Sequence, residues 1–416
     1  MKKPCFTAMI AVFILLYSHG IQAPTTQAQS SQNQPPAVSF GIRDNIDSKI
    51  LNEQRRILVY VPASAASDVF TKQLYPVVYL LDGDAVHFSA VVSMINQQSS
   101  MYALPEMMVV GIPNTDRTRD LTPTPMRDFW QFLNFDADSI FLQNSGGGDK
   151  FISFIENELI PHIESTYPAA PYRMLIGHSM GGLTVMNTLI HHTHLFKDYV
   201  AIDPAMSWDN QKLLKEAKTA LANNQYPGIS LFLGIANTME PGMDTTQLKK
   251  DFSGSSEHMR SIFELRDILS SNRENQLNFA WKYYNDEEHN SLRLITEYDA
   301  LRYFFNYYGI SLFYNEYRNI EQLYENVSRH FGYTVKPPEN LVNNLAYTCL
   351  AFRLFDDAGY LFGLNVNNYP ESYNVHNAMG DYFYYSGENA NAIESYSRAL
   401  SIKEVAAVRQ KLDRIQ

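Results

Sequence analysis

Between residue 38 and about residue 308, short continuous apolar runs alternate with stretches whose apolar residues recur every three or four positions. Arg56–Pro62 is a β-branched and aromatic run closed by a proline, and Tyr75–Leu81 is almost wholly apolar. The second pattern is that of a central strand covered on both faces. Met107–Ile112, Arg173–Gly177, Tyr199–Ile202, Ile229–Ile235 and Phe279–Tyr284 extend the set of predicted strands. Among them, Phe151, Phe154, Ile155, Leu159 and Ile163 share one side of a predicted helix over 151–167, and a second helix continues from Leu183 to His191. Strands alternating with helices predict an α/β domain, with a mostly parallel sheet and right-handed crossovers.

After about residue 309 the β-like runs fade, and 12 of the chain's 27 tyrosines fall in this last stretch, mixed with Asn and Glu. A 34-residue period is testable here. Met379, Gly380, Phe383, Gly387, Ala392, Tyr396, Ala399 and Leu400 match the tetratricopeptide pattern of small and aromatic positions. One period earlier, Ala358, Phe362 and Pro370 also match, while Arg353 stands where glycine is usual. The pattern predicts helix pairs (309–416) whose small residues let neighbours approach closely; a generic helical cap is the alternative.

The first 28 residues read as an export signal. Lys2 and Lys3 precede an apolar stretch from Phe6 to Tyr17, interrupted only by Thr7. It is too short for the ~20 residues of a membrane span. Small residues offer cleavage after Ala28, or after Ala23, where the following Pro24 would hinder the cut; a single anchor helix is the alternative. Residues 29–37 then read as a Pro/Gln/Ser-rich linker. The net charge of −11, without a long basic run, disfavours nucleic acid or an anionic membrane as partner. The two cysteines, at 5 and 349, cannot make a disulfide framework. Cleavage would leave Cys349 alone in an exported, periplasmic or secreted chain with no membrane span.

Gly177-His178-Ser179-Met180-Gly181 is a G-x-S-x-G pentapeptide between an apolar strand and a helix. That context makes it a nucleophile elbow, in which glycines permit a strained turn and a close crossing. A serine hydroxyl needs a base within hydrogen-bond reach. His289, on a loop after the last predicted strand, is the candidate; His162, His178 and His258 are worse placed. The acid is expected after Ile229–Ile235. Asn237 there is neutral, so Glu240 is the first choice, Asp244 the second and Asp251 a more distant third. The oxyanion donors are expected to be the N–H of Met180 and, in the loop after Tyr75–Leu81, that of Asp84. His191, His192 and His194 do not converge for a metal, and no metal or cofactor is implied.

With these residues in hand, the chain resembles the branch of the α/β hydrolases that includes esterase D and enterochelin-esterase-like proteins. The resemblance rests on Ser48–Pro62, Tyr79–Gly83, Gly111–Asn114, Arg119–Pro123, Ser145–Gly148, Glu158–Pro161 and Ile176–Leu183. It implies an α/β-hydrolase fold over 38–308 and serine ester hydrolysis, with Ser179 and His289 as nucleophile and base and Asp84 with Met180 at the oxyanion hole. Asn237 departs from the family pattern near the usual acid. Members act on siderophore trilactones, small acyl esters, feruloyl esters and acylated sugars. The expectation is an exported serine esterase acting on a small-molecule ester. The alternatives are an interaction protein whose helical tail binds a protein partner, and an acyltransferase. Arg117 and Arg119 lie in a loop that could face an anionic substrate.

Overall fold

The computed structural model describes residues 39–126, 143–310 and 316–416; the expected signal and linker lie outside them. Eight strands, β1 (Ile42–Ser48), β2 (Glu53–Tyr60), β3 (Tyr75–Leu81), β4 (Met108–Ile112), β5 (Ala169–His178), β6 (Asp198–Ile202), β7 (Ser230–Ala236) and β8 (Asn278–Tyr284), form one sheet. Their order is β1-β2-β4-β3-β5-β6-β7-β8. The β1–β2 and β2–β4 pairs are antiparallel, and every pair from β4 to β8 is parallel. The chain is thus an α/β protein with a mostly parallel sheet, as its periodicity predicts. Strand β1 carries no such signal: in Ile-Arg-Asp-Asn-Ile-Asp-Ser only Ile46 and Ser48 are buried, as suits an edge strand.

Alternate residues of β3 enter two different cores. Tyr79 and Leu81 face one, Val78 and Leu80 the other. Helix α1 (Ala85–Ser100) follows β3 on the Val78 side, burying Phe88, Val91, Val92 and Ile95. The short α2 (Arg117–Leu121) follows β4. The Tyr79 side is covered by α3 (Gly148–Phe154), which runs through a π turn (Ile155–Leu159) into α4 (Ile160–Thr166). It is completed by α5 (Met180–His191), α6 (Trp208–Asn223) and α7 (Gly254–Ser271). Helix α8 (Arg293–Phe304) returns to the α1 side.

The C-terminal region is all helical: α9 (Ile320–Phe331), α10 (Glu339–Ala351), α11 (Phe355–Asn368), α12 (Tyr373–Ser386), α13 (Asn389–Ile402) and α14 (Ala406–Ile415). Helices α10 and α12 begin 34 residues apart, and so do α11 and α13. Close approach explains the small residues, since a Cβ on Gly380 would lie 2.5 Å from the Tyr396 ring. Gly387 ends α12 at φ 84°, and Arg353, one period earlier, adopts φ 57°.

Buried residues from Ile320 to Ala378 belong to the same core as Val78 and Leu80, so this region closes one face of the sheet. A polar seam reinforces the contact. Asp198 at the start of β6 accepts hydrogen bonds from Tyr172 and, at 2.9 Å, from His330 Nε2 of α9. Tyr172 also stacks on Phe331, with ring centroids 4.3 Å apart. Glu339 accepts from the Thr71 N–H and hydroxyl at 2.8 and 2.7 Å.

Candidate active site

Strand β5 ends at His178, and α5 begins at Met180, so the whole turn is made at Ser179 with φ 59° and ψ −116°. Such a backbone is costly for a residue with a side chain and persists only where its surroundings hold it. Here the Ser179 N–H donates to Ile202 O at 2.9 Å, and its carbonyl accepts from Leu183 and Ala205 N–H at 2.9 and 3.0 Å. Glycine is required at 177, where a Cβ would lie 2.4 Å from Gly181 O. Ser179 is half-buried at the carboxyl edge of the sheet, at the N-terminus of α5, whose first N–H groups have no partner within the helix.

The loop after β8 brings His289 to the same edge. His289 Nδ1 lies 2.6 Å from Asp203 Oδ2. Asp203 sits in the turn after β6 at φ 40°, held by its N–H to Gly234 O at 2.8 Å and by Ala236 N–H to its Oδ1 at 2.9 Å. A second histidine, His258 of α7, places Nε2 3.0 Å from the same Asp203 Oδ2. Burial would raise the Asp203 carboxyl, but hydrogen bonds from His258 and His289, with the His258 charge and the Ala236 N–H, hold it well below the usual carboxylate range. With an ionised acceptor between them, His289 carries its proton on Nδ1, leaving Nε2 as its unprotonated nitrogen.

Glu240 does not fill the role expected of it. It is exposed and accepts from Ser255 Oγ at 3.0 Å. Asp244 caps a short helix through Thr246 and Gln247 N–H, and Asp251 accepts from Ser253. The carboxylate against His289 comes from one strand earlier, because the β6 turn reaches the loop directly while the acids after β7 are engaged by a helix cap and by serines. Asn237, at the position where the strand order places an acid, ties the two loops together. Its N–H donates to Glu287 O at 2.8 Å and its Nδ2 to Asn285 O at 3.0 Å. The signal for Asp203 is present in the sequence as a carboxylate directly after the apolar run 199–202.

His178 has a positional role as well. Arg293 Nε donates to its Nδ1 at 3.0 Å, so His178 Nε2 carries the proton and donates to the His289 carbonyl at 2.6 Å. The two imidazole rings lie 4.5 Å apart. Burial, with the nearby His289 and Arg293 charges, lowers the His178 pKa to about 3, which keeps it neutral. This link fastens the loop of His289 to the strand that ends at Ser179.

On the other side of the elbow, Asp82 (φ 51°) turns the chain after β3. It accepts from Arg117 Nε and Nη2 at 2.7 and 2.8 Å and from Asn114, and Arg117 Nη2 also reaches His178 O at 3.3 Å. Arg119 pairs with Glu53 and Asp120. Both arginines therefore brace the loops. The Asp84 carboxylate caps α1, and its N–H donates to Asp82 O at 2.9 Å. That N–H is thus engaged in this conformation, whereas Met180 begins α5 beside Ser179.

Among the described residues, Asp203, His258 and His289 form a group whose ligand atoms could hold a metal, all within 4.8 Å of one another. Their mutual hydrogen bonds account for the arrangement. His191 and His194 instead pair with Glu216 and Glu156.

The family model named "Putative esterase" matches residues 48–288. The chain belongs to this family. A siderophore enterobactin esterase of Emericella nidulans is 28% identical over 237 residues, 52% of this chain and 77% of that protein. A ferri-bacillibactin esterase of Bacillus subtilis is 31% identical over 175 residues, 38% of this chain and 59% of its own length. The crystal structure of an IroE-like serine hydrolase from Shewanella oneidensis superposes with a TM-score of 0.68 at 30% identity, covering 79% of this chain and 99% of that one. This esterase is a hydrolase acting on ester bonds, and among the described residues no helix is long and apolar enough to cross a membrane.

Proposed function

We propose that this protein is a serine esterase that cleaves a small-molecule ester of the siderophore class through an acyl-enzyme. The observation that carries this reading is the 2.6 Å hydrogen bond from His289 Nδ1 to the buried Asp203, beside the strained Ser179 turn. His289 Nε2 takes the proton of Ser179 Oγ as the oxygen attacks the ester carbonyl. The carbonyl oxygen gains the negative charge and is met by the Met180 N–H, with the Asp84 N–H joining once it turns from Asp82 O. The tetrahedral species collapses, expelling the alkoxide, which takes the proton from His289. Water, deprotonated by the same histidine, then releases the acid and restores Ser179.

The siderophore class is supported by the relatives' activities. Export is supported by the apolar stretch 6–17 behind Lys2 and Lys3. The test is hydrolysis of an ester panel, from p-nitrophenyl butyrate to a catecholate trilactone, by wild type and Ser179→Ala. Hydrolysis that depends on Ser179 and favours the trilactone supports the proposal; undiminished hydrolysis by the alanine variant overturns it. Fluorophosphonate labelling of Ser179 separates this reading from that of a catalytically silent interaction protein. Product analysis with an added alcohol separates hydrolysis from acyl transfer.

A further inference from the structure

A triad needs one histidine on its carboxylate, yet Asp203 carries two. His289 Nδ1 and His258 Nε2 both address Oδ2, at 2.6 and 3.0 Å, while Oδ1 is taken by the Ala236 N–H. The two rings meet edge to face, with centroids 5.2 Å apart. They come from elements far apart in sequence, α7 and the loop after β8, so the shared oxygen is created by the fold. His258 is fixed at its own end, where its carbonyl accepts from Ser261 Oγ at 2.6 Å.

We propose that His258 is a positioning residue for the base: by donating to the oxygen that His289 also uses, it aims the Asp203 carboxylate and divides its charge between two rings. This rests on Ser179, His289 and Asp203 forming the catalytic triad. The physical consequence concerns the imidazolium that His289 becomes during catalysis and that, formed too readily beforehand, cannot act as a base. An undivided carboxylate stabilises the imidazolium most strongly, whereas a second donor on the same oxygen weakens its pull. His258 therefore keeps His289 available as a base at lower pH.

The surrounding charges are arranged on every packed element. Asp203 follows β6, and His178 ends β5 with Arg293 of α8 behind it. Glu257 and Arg260 flank His258 on α7; Gln211 donates to the first, and the second donates to Asp251 O. Glu240, after β7, is bonded to Ser255 at the start of the same helix. Among the described residues, Asp203 is thus the one carboxylate bonded to either imidazole.

The test is kcat/KM for p-nitrophenyl butyrate from pH 4.5 to 9 with the full chain, comparing wild type, His258→Gln, His258→Phe and His258→Ala, with thermal melting to confirm folding. The Gln variant keeps an N–H donor and is expected to retain the wild-type profile. The Phe and Ala variants are expected to lose activity from the acid side, the midpoint moving up by about one pH unit. Profiles that superimpose, or a Gln variant that moves as far as Phe, overturn the inference. Should the apolar variants not fold, 15N-histidine spectra of the wild type at pH 8 decide. His258 is expected as the Nε2–H tautomer and His289 as Nδ1–H, and an Nδ1–H tautomer at His258 overturns the proposal. Hydrolysis that survives Ser179→Ala removes the triad and this inference together. Ser179-dependent hydrolysis with coincident profiles removes only the role of His258.

Discussion

His289 takes its carboxylate from Asp203, whose Oδ2 lies 2.6 Å from Nδ1, although α6, β7, α7 and β8 all lie between the two residues. Asp203 is fully buried and Glu240 is exposed, so the first can orient an imidazole and stabilise its charge and the second cannot.

Replacing the two carboxylates separates them. Asp203→Asn is expected to lower kcat by about 10³- to 10⁴-fold, the scale on which a triad acid acts. Glu240→Gln is expected to stay within about twofold of wild type. Steady-state hydrolysis of a short-chain ester measures both.

Stability should fall as pH drops below neutrality, with His178 contributing first and Asp203 only in strong acid. His178 is held down at about 3 from an ordinary 6.5, so the unfolded chain gains a proton below pH 6.5 that the native state refuses until about pH 3. Asp203 is held below its ordinary 3.8, so its contribution is present above that value and is lost as pH falls through the native one. Urea midpoints between pH 8 and 4 are expected to decline for the wild type, and to decline less for His178→Gln.

Arg353 occupies a left-handed conformation (φ 57°) in an exposed turn, where its counterpart is Gly387 at φ 84°. A side chain there costs about 1–2 kcal/mol, partly offset by glycine's greater freedom in the unfolded chain. Arg353→Gly should therefore stabilise the fold by about 0.5–1 kcal/mol, and Gly387→Arg should destabilise it, both readable in denaturant melts.

The seam between the sheet and the helical region is open to the same treatment. His330 Nε2 donates to Asp198, which has no exposed surface and whose Oδ1 has no partner among the described residues. Removing the imidazole with His330→Leu leaves a buried carboxylate short of a donor and is expected to cost about 3 kcal/mol or more. Pairing it with Asp198→Asn should recover part of that loss. A single cooperative melt for every variant would show that the helical region and the sheet unfold together, as their shared core implies.

Much of the fold and half of the site are legible along the chain because they depend on local pattern. Tyr75–Leu81 is almost wholly apolar, the pattern of a strand buried on both faces. Gly177 to Gly181 declares its turn because no other residue at 177 fits against the Gly181 carbonyl. His289 is readable from its place after the last strand. The 34-residue spacing of helix starts follows from small and aromatic residues at fixed intervals. The edge strand β1 escapes notice because one solvated face and a polar majority leave it no alternation strong enough to read.

What the order of residues could not decide is which distant groups meet. Six carboxylates lie between Ser179 and Asp251, and nothing in their spacing separates Asp203 from Glu240. Only the close packing of β6 against β7 aims the first at His289, while a helix cap occupies Asp244 and Ser253 occupies Asp251. The same holds for His178 and His258, which look like bystanders in the sequence and become partners of the His289 loop once three strand ends and a helix converge. Secondary structure is set by periodicity over a few residues, whereas a hydrogen-bonded site is set by contacts across dozens to more than a hundred, and those exist only in the folded chain.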